Sequence, residues 1–231
     1  MSFVVKFEIL DPPQLAQGAA KYIAAAARDA VAARGRFVIA LSGGRSPWQM
    51  LRDLAGEDVP WKNVHIVQVD ERVAPAGSPD RNLTHLNDSL LSQVPLPSDH
   101  IHPMPVESAD LDDAAAHYTK TLEQIAGVPP VLDLVHLGLG PDGHTASLVP
   151  TDPVLDVMNV DVATTGVYQG RRRMTLTYPI LDRARCILWL VMGSDKHEPL
   201  EKLRRADTSI PAGRVRQDRA IAFADHAAAN G

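Results

Sequence analysis

The sequence predicts an α/β protein: a single domain built on a Rossmann-like, doubly wound and mostly parallel sheet flanked by helices. Apolar runs rich in β-branched residues alternate with longer helical segments along the chain. Several of these runs are almost continuously apolar, which is typical of parallel strands covered on both faces. The alternation of β and α units of this length indicates a doubly wound sheet.

Eight segments are predicted to be strands, because each is a short apolar run bounded by polar or turn-forming residues. These segments are Phe3–Ile9, Phe37–Leu41, Val64–Val69, Leu132–Leu137, Val160–Thr164, Met174–Thr177, Ile187–Met192 and Ala220–Phe223.

Longer segments between these strands are predicted to be helices: Pro12–Arg34, Pro47–Leu54, Asn82–Leu91, Ser108–Ala126 and Lys196–Arg205. The first is rich in alanine and is followed by Gly35, and glycine commonly ends a helix. Pro47 suits the first turn of the second helix. The fourth helix begins with Ser108 and an acidic turn, the pattern of a capped N-terminus.

Composition predicts one domain over residues 1–231. The chain is 45% hydrophobic and 22% charged, as in an ordinary globular protein with a substantial core. No repeat, low-complexity block or linker divides the sequence. The proline-rich stretch 95–105 fits a surface loop within that domain.

Charge and cysteine content narrow the partners and the compartment. A formal net charge of −5 argues against a surface built for nucleic acid or anionic lipid, but it permits a local basic pocket. No apolar run is long enough to span a membrane. The single cysteine, Cys186, excludes an internal disulfide and lies in an apolar run, where we expect a buried core thiol. The N-terminal residues lack a signal-peptide pattern, and we expect a cytoplasmic protein.

In doubly wound sheets, ligands bind outside the carboxyl ends of the strands, and three predicted strands end in loops of unusual chemistry. The first loop reads Ser42-Gly43-Gly44-Arg45-Ser46-Pro47. Backbone N–H groups, two hydroxyls, a guanidinium and a helix N-terminus together can receive a phosphate. The alternative is a tight strand-to-helix turn with an exposed arginine.

The second loop is predicted to begin with Asp70-Glu71-Arg72 and to continue towards Asn82. Charges next to a buried strand are unfavourable unless they pair with one another or meet a ligand. Arg72 is therefore a candidate to hold a phosphate or a sugar oxygen, oriented by Asp70 or Glu71. A solvated turn with a local ion pair is the alternative.

The third loop lies in HLGLGPDGHTASLVP, His136 to Pro150, which contains Gly138-x-Gly140-x-x-Gly143. This spacing fits a nicotinamide- or flavin-dinucleotide site, and Asp156 and Asp161 lie near the offset of a ribose-binding acid. Two observations argue against it. Asp142 would repel the pyrophosphate, and prolines at 150 and 153 leave little room for the required helix.

His144, immediately after these glycines, is the best candidate for a general base, because imidazole titrates near neutral pH. Asp142 is placed to orient the ring or to stabilise its protonated form. Two other histidines, His65 and His136, lie within predicted strands and are interpreted as structural. The sequence His100-Ile101-His102 offers two metal-type ligands but lacks accompanying ligand motifs, so no metal is assigned.

Basic residues flank two of the later strands. Arg171-Arg172-Arg173 precedes a strand with alternating hydroxyls, whose register favours Arg173 as the residue facing a ligand. Lys196 follows the next strand at a strand-to-helix junction. These positions are either simply solvated or form, with the Ser42 loop, a localised positive pocket on an acidic protein.

Together these motifs resemble the 6-phosphogluconolactonases of the glucosamine-6-phosphate isomerase/deaminase-like superfamily. The segments LSGGRSP, DERVAP, GLGPDGHTASLVP, RRMTLT and MGSDK occur in that order across roughly residues 38–200. The C-terminal segments SIPAGRV and AIAFAD are also similar to the end of that family. DGHTASL is the most specific of these elements.

The resemblance implies metal- and cofactor-independent hydrolysis of 6-phospho-D-glucono-1,5-lactone to 6-phosphogluconate, in the oxidative pentose phosphate pathway, by a Rossmann-like enzyme. His144 matches the proposed general base and Arg72 matches the active-site arginine, and Asp142 is expected from its position to be the partner of His144. The expected substrate-binding residues are Ser42, Gly43, Gly44, Arg45, Asp70, Asn82, Arg173 and Lys196. We expect a monomer whose partner is a phosphorylated sugar lactone.

Three other functions remain open on the sequence alone. An amino-sugar phosphate deaminase/isomerase of the same fold would release ammonia, but its ring-opening acids are not evident in this chain. A non-catalytic sugar-phosphate sensor would keep the Ser42 loop but have no use for His144. A nicotinamide-dependent dehydrogenase would bind a dinucleotide.

Overall fold

The fold is described by a computed structural model that covers residues 5–44 and 46–231. The strands are β1 (Lys6–Leu10), β2 (Phe37–Leu41), β3 (Val64–Gln68), β4 (Asp70–Arg72), β5 (Ile101–His102), β6 (Leu134–Gly138), β7 (Val162–Thr164), β8 (Arg173–Leu176), β9 (Ile187–Val191) and β10 (Ala220–Asp225). The helices are α1 (Pro12–Arg34), α2 (Pro47–Ala55), α3 (Asn82–Ser89), α4 (Leu111–Ala126), α5 (Tyr178–Arg183), α6 (His197–Arg204), α7 (Pro211–Arg214) and α8 (His226–Asn230).

Seven strands form one parallel sheet in the order β1-β10-β9-β6-β2-β3-β5. Apolar side chains cover both of its faces. One face packs against α1, α2 and α3, and the other packs against α4 to α8. Because every central strand is buried on both sides, its sequence is almost continuously apolar. The predicted doubly wound α/β class is confirmed.

The direction of winding reverses between β2 and β6, which are neighbours in the sheet. From β2 the chain continues outwards through β3 to β5, and from β6 it continues through β9 and β10 towards β1. The loops that follow β2 and β6 therefore diverge and leave a crevice at the carboxyl ends of these strands. Such a reversal point is where open α/β sheets bind ligands.

A second, antiparallel sheet of three strands, in the order β4-β8-β7, lies beside this crevice. The prediction of an irregular charged loop at Asp70–Arg72 is wrong, because β4 pairs with β8. Three charged residues carry no local strand signal. Their backbone partners come from residues about a hundred positions later in the chain.

Several predicted boundaries are confirmed, including those of α1 and β2. The first predicted strand falls partly outside the described residues, and the described part of it runs from Lys6 to Leu10. The prediction that α4 starts at Ser108 is off by three residues. The carboxylate of Asp110 accepts the backbone N–H groups of Asp112 and Asp113 and so caps a helix that begins at Leu111.

The fold shows how far the single cysteine is buried and whether any described helix could span a membrane. Cys186 is partly rather than fully buried, and its Sγ lies 3.4 Å from the hydroxyl of Tyr22. Burial raises the pKa of the Cys186 thiol, as expected for an unreactive cysteine. Within residues 5–44 and 46–231, no helix combines the length and apolar composition needed to cross a bilayer.

Candidate active site

A cavity of about 280 Å³ opens at the carboxyl ends of β2 and β6. Its walls come from the loops after β2, β6 and β9 and from the antiparallel sheet. The predicted site residues that line it are Ser42, Gly43, Gly44, Asp70, Arg72, Asn82, His144, Arg173 and Lys196. Asp142 does not line the cavity, but its carboxylate contacts the imidazole ring of His144. Arg45, also predicted to bind phosphate, lies outside the described residues.

The loop after β2 brings the N-terminus of α2 to the cavity, where Ser46 and Pro47 line the wall. The Ser42 hydroxyl is buried and has no hydrogen-bond partner among the described residues. A helix N-terminus with unpaired donors attracts negative charge. This geometry favours the anion-binding interpretation of the loop over a simple strand-to-helix turn.

Strand β4 divides its three charged side chains between its two faces. Asp70 and Arg72 line the cavity, whereas Glu71 is fully buried on the other side. The Glu71 carboxylate accepts the backbone N–H groups of Asn82 and Leu83 at 2.8 and 2.9 Å, and thereby fixes the start of α3. Arg81 adds an ion pair to Glu71 at 3.1 Å. Glu71 is therefore a structural carboxylate.

The Arg72 guanidinium is positioned by a carbonyl group, because its Nη1 donates to the backbone oxygen of Asp80 at 2.9 Å. This corrects the expectation that Asp70 or Glu71 orients its guanidinium. Strand pairing places Arg72 directly opposite Arg173. Two like charges in this arrangement repel each other, and a bound anion would relieve that repulsion.

Asp70 is a buried carboxylate at the base of the cavity. It accepts a 2.6 Å hydrogen bond from the Ser147 hydroxyl, and Arg173 Nη1 lies 3.9 Å from it. Burial raises the pKa of Asp70, and the contacts with Ser147 and Arg173 oppose that rise. Asn82 donates to the Asp70 carbonyl oxygen at 3.0 Å. Ser147 was not among the predicted site residues, although it belongs to the DGHTASL segment.

The three consecutive arginines have different environments. Arg171 pairs with Asp80 at 2.5 Å on the exposed surface, and Arg172 donates to the Thr164 hydroxyl at 3.2 Å. Arg173 is buried and lines the cavity. The alternation of side chains in Thr175-Leu176-Thr177 favours Arg173 as the ligand-facing residue, and Arg173 is the arginine that faces the cavity.

Lys196 adds a further positive charge to the cavity wall. Its Nζ lies 2.8 Å from a carboxylate oxygen of Asp195, and both residues line the cavity. With Arg72 and Arg173, it makes this part of an acidic protein locally cationic.

The glycine-rich loop is not followed by an α-helix: within the described chain, residues 139–152 form turns and irregular loop, and a short 3-10 helix, Pro153–Asp156, comes next. The loop therefore lacks the helix N-terminus at which a dinucleotide pyrophosphate would bind, and this argues against the dinucleotide interpretation. Gly140 instead makes room for the histidine. A Cβ atom at this position would lie 2.1 Å from Nδ1 of His144 and 2.7 Å from Oδ1 of Asp142.

His144 Nδ1 lies 2.5 Å from Oδ1 of Asp142. Partial burial opposes ionisation of Asp142, but the charge and hydrogen bonds of His144 lower the pKa of this carboxyl below its ordinary value. An ionised carboxylate only accepts hydrogen bonds, so Nδ1 carries the proton and Nε2 is left as the basic nitrogen. The Tyr168 hydroxyl donates to the other Asp142 oxygen at 3.1 Å. Sequence reasoning missed Tyr168, which belongs to no motif.

His136 lies within β6, as predicted, but it also lines the cavity. Its Nδ1 accepts the backbone N–H of Ser42 at 3.3 Å and so holds the start of the Ser42 loop. Burial lowers the pKa of His136 to about 4, which keeps the ring neutral. The interpretation of His136 as a purely structural residue is therefore incomplete, because the residue also lines the cavity.

His100 and His102 do not line the cavity; they lie beside His65, near the edge strand β5 of the parallel sheet. The rings of His65 and His100 stack with centroids 4.0 Å apart, and His65 Nδ1 lies 3.1 Å from His102 Nε2. Within the described residues, no group of three or more His, Cys, Asp or Glu side chains is arranged to hold a metal ion.

Comparison with known proteins matches residues 10–223 to the family model of glucosamine-6-phosphate isomerases/6-phosphogluconolactonase. A 6-phosphogluconolactonase from Synechocystis is 40% identical over 178 residues, which cover 75% of this chain and 74% of that protein. One from Mycobacterium tuberculosis is 37% identical over 215 residues, 87% of each chain. The solved structure of 6-phosphogluconolactonase from Trypanosoma cruzi superimposes with a TM-score of 0.88 at 26% identity, covering 100% of this chain and 98% of that one. The chain therefore belongs to the family of glucosamine-6-phosphate isomerases and 6-phosphogluconolactonases.

Proposed function

We propose that this protein hydrolyses 6-phospho-D-glucono-1,5-lactone to 6-phosphogluconate, a step of the oxidative pentose phosphate pathway. Relatives that cover most of the chain carry the name 6-phosphogluconolactonase. The observation that carries the proposal is one cavity that combines a carboxylate-bound histidine, His144, with the cationic groups Arg72, Arg173 and Lys196. Such a cavity suits an ester that bears a phosphate.

His144 is proposed as the general base. A δ-lactone is an activated ester, so water can attack its C1 carbon directly, and no covalent nucleophile is needed. Nε2 of His144 accepts a proton from this water as the C1–O bond forms. Asp142 stabilises the resulting imidazolium, because its ionised carboxylate remains hydrogen-bonded to Nδ1.

Arg72 is the proposed stabiliser of the oxyanion that develops on the C1 carbonyl oxygen. The backbone N–H groups of Gly140 and Gly143 are unsuitable, because they donate to the carbonyl oxygens of His144 and Gly140 within the loop. The guanidinium of Arg72 lines the cavity and has donors besides the Nη1–H that contacts Asp80. When the tetrahedral intermediate collapses, the bond from C1 to the ring oxygen breaks. The ring oxygen takes the proton from His144 and becomes a hydroxyl group.

The phosphate is proposed to bind at the N-terminus of α2, with the Ser42–Arg45 loop, Lys196 and Arg173 around it. This end of the cavity offers an unpartnered buried hydroxyl at Ser42 and the positive end of a helix. Asp70 and Asn82 also line the cavity and are proposed to contact sugar hydroxyls. Binding of the distant phosphate holds the lactone carbonyl in place for attack.

The same proposal includes cofactor use, oligomeric state, location and the number of domains. Catalysis uses no metal or cofactor, because His144 and the basic residues provide the proton transfer and the charge stabilisation. The proposed oligomeric state is a monomer. The proposed location is the cytoplasm, because a chain with one cysteine forms no internal disulfide that needs an oxidising compartment. We also propose one domain over residues 1–231.

The test is a lactonase assay on freshly generated 6-phosphogluconolactone in buffer containing EDTA, corrected for spontaneous hydrolysis. We expect hydrolysis well above background, unaffected by the chelator. Glucosamine 6-phosphate is assayed in parallel for ammonia release, because a deaminase would act on it. Absence of lactone hydrolysis together with ammonia release would replace the proposal by the deaminase. Sugar-phosphate binding without either reaction would indicate a sensor.

A further inference from the structure

Tyr168 contacts the proposed base, its carboxylate partner and a substrate-binding arginine at the same time. Its hydroxyl donates to Oδ2 of Asp142 at 3.1 Å, on the opposite carboxylate oxygen from the one that binds His144. Its ring packs edge-on against the His144 ring, with centroids 5.5 Å apart. The guanidinium carbon of Arg173 lies 5.0 Å from the centre of the same ring.

The backbone holds Tyr168 firmly in this position. Residues 168–171 form a tight turn closed by two hydrogen bonds between the backbones of Tyr168 and Arg171, at 2.9 and 3.2 Å. The two central residues, Gln169 and Gly170, have φ angles of 52° and 77°. Positive φ angles at both central positions are typical of the turns that join antiparallel strands closely. The Gln169 side chain also accepts a hydrogen bond from Arg173 at 3.3 Å.

The His144–Asp142 pair needs such support because it is partly exposed. The side chains of these residues are 21% and 36% exposed, respectively. A carboxylate in that environment can rotate and exchange its partner for water. A phenol hydrogen bond to the second oxygen fixes the carboxylate plane, and the tyrosine ring restricts rotation of the imidazole.

We propose that Tyr168 is a positioning residue for the hydrolytic reaction: its hydroxyl orients Asp142 and thereby His144, and its ring face supports Arg173. The inference rests on the proposed function for the reaction that His144 catalyses. The two parts of the side chain have separate effects. The hydroxyl acts on the rate of the chemical step, and the ring acts on binding of the phosphorylated ligand as well.

Two substitutions separate these effects. Tyr168→Phe keeps the ring and removes the hydroxyl, and we expect kcat to fall about three- to tenfold with KM unchanged. Tyr168→Leu removes both, and we expect a similar fall in kcat together with about three- to tenfold weaker binding of 6-phosphogluconate, measured by calorimetry. Tyr178→Phe is the matched control. The Tyr178 hydroxyl donates to the Pro211 carbonyl oxygen and its ring lies under Arg214, outside the cavity, so the variant should retain wild-type kcat and KM.

A double-mutant cycle with Asp142→Asn decides whether the hydroxyl acts through Asp142. We expect Tyr168→Phe to lower kcat in the wild-type background but to have almost no effect in the Asp142→Asn background. Equal losses in both backgrounds would show a general structural role and overturn the proposal, as would a Tyr168→Phe variant with wild-type kcat. If the wild-type protein does not hydrolyse the lactone, the proposed function fails and the inference fails with it. An active wild type with an unaffected phenylalanine variant refutes the inference alone.

Discussion

The imidazole of His144 occupies the space in which a side chain at Gly140 would lie. A Cβ atom at Gly140 would be 2.1 Å from His144 Nδ1, far inside van der Waals contact. Gly140 belongs to the glycine spacing that resembles a dinucleotide fingerprint, and its lack of a side chain leaves room for the imidazole of His144. The loop closes on itself through a 2.8 Å hydrogen bond from Gly140 N–H to the His144 carbonyl oxygen.

Gly140→Ala should therefore displace the His144 ring and break its contact with Asp142. We expect kcat to fall about a hundredfold or more, since general-base catalysis contributes at least that much. Gly138→Ala is the control. No described atom lies within 4 Å of an added Cβ at Gly138, so the methyl group enters the open cavity. That variant should raise KM and leave kcat nearly unchanged. A full-activity Gly140→Ala enzyme would contradict the assigned position of the base.

Arg173 and Arg171 provide a matched pair for the role of the cavity charge. Arg173→Gln should raise KM for the phosphorylated lactone about ten- to hundredfold, because it removes a buried charge that faces the ligand. Arg171→Gln removes an exposed arginine that pairs with Asp80 and should change KM less than about twofold. Steady-state kinetics on both variants measures the difference. Equal KM values would show that Arg173 does not bind the substrate.

Glu71 is predicted to contribute to stability rather than to chemistry. Glu71→Gln removes the charge that accepts the N–H groups of α3 and pairs with Arg81. We expect the free energy of unfolding to fall by about 2–4 kcal/mol, measured by urea denaturation. Glu198→Gln, at an exposed helical ion pair with Lys202, should have little effect. Indistinguishable unfolding curves for the wild type and Glu71→Gln would refute this role.

The histidine group at the sheet edge predicts loss of stability in acid. Burial and the neighbouring His100 and His102 rings, together with Arg36, lower the pKa of His65 to about 4, although Asp99 opposes the shift. In the unfolded chain histidine titrates near about 6.5. Between these two pH values the unfolded chain binds more protons than the folded one, so the free energy of unfolding falls as pH falls from about 6.5 to about 4.

We expect His65 to account for about 1–2 kcal/mol of this loss, because partial exposure screens the interaction. His65→Gln should flatten the pH dependence of the free energy of unfolding over that range. His117→Gln, a substitution on the exposed face of α4, is the matched control. The same steepness in all three proteins would exclude His65 as its source.

The sequence predicted the parallel sheet and most site residues because both carry local signals. Strands such as β2 are continuous apolar runs, and the charged or glycine-rich segments that follow them lie at one edge of the sheet by topology alone. Arg173 was favoured over its two neighbours because side chains alternate along a strand. Local patterns are sufficient for inferences of this kind.

Other features depend on pairings between distant residues and could not be predicted. Asp70–Arg72 becomes a strand only through β8, and the fully buried Glu71 is held by Arg81 and the start of α3. Tyr168 precedes a Gln-Gly turn and carries no motif, so its contact with Asp142 appears only when the β7–β8 connection folds over the loop after β6. These residues support the site through contacts with elements distant in the sequence, and no single segment of sequence reveals such contacts.

The central claim is that His144 activates water to open a sugar-phosphate lactone. It is tested most directly by the rate of 6-phosphogluconolactone hydrolysis by wild type and folded His144→Ala, corrected for the spontaneous reaction. We expect the substitution to lower kcat by about a hundred- to ten-thousandfold while 6-phosphogluconate binds with an affinity within about twofold of wild type. Turnover by His144→Ala at a rate close to that of the wild type would contradict the account.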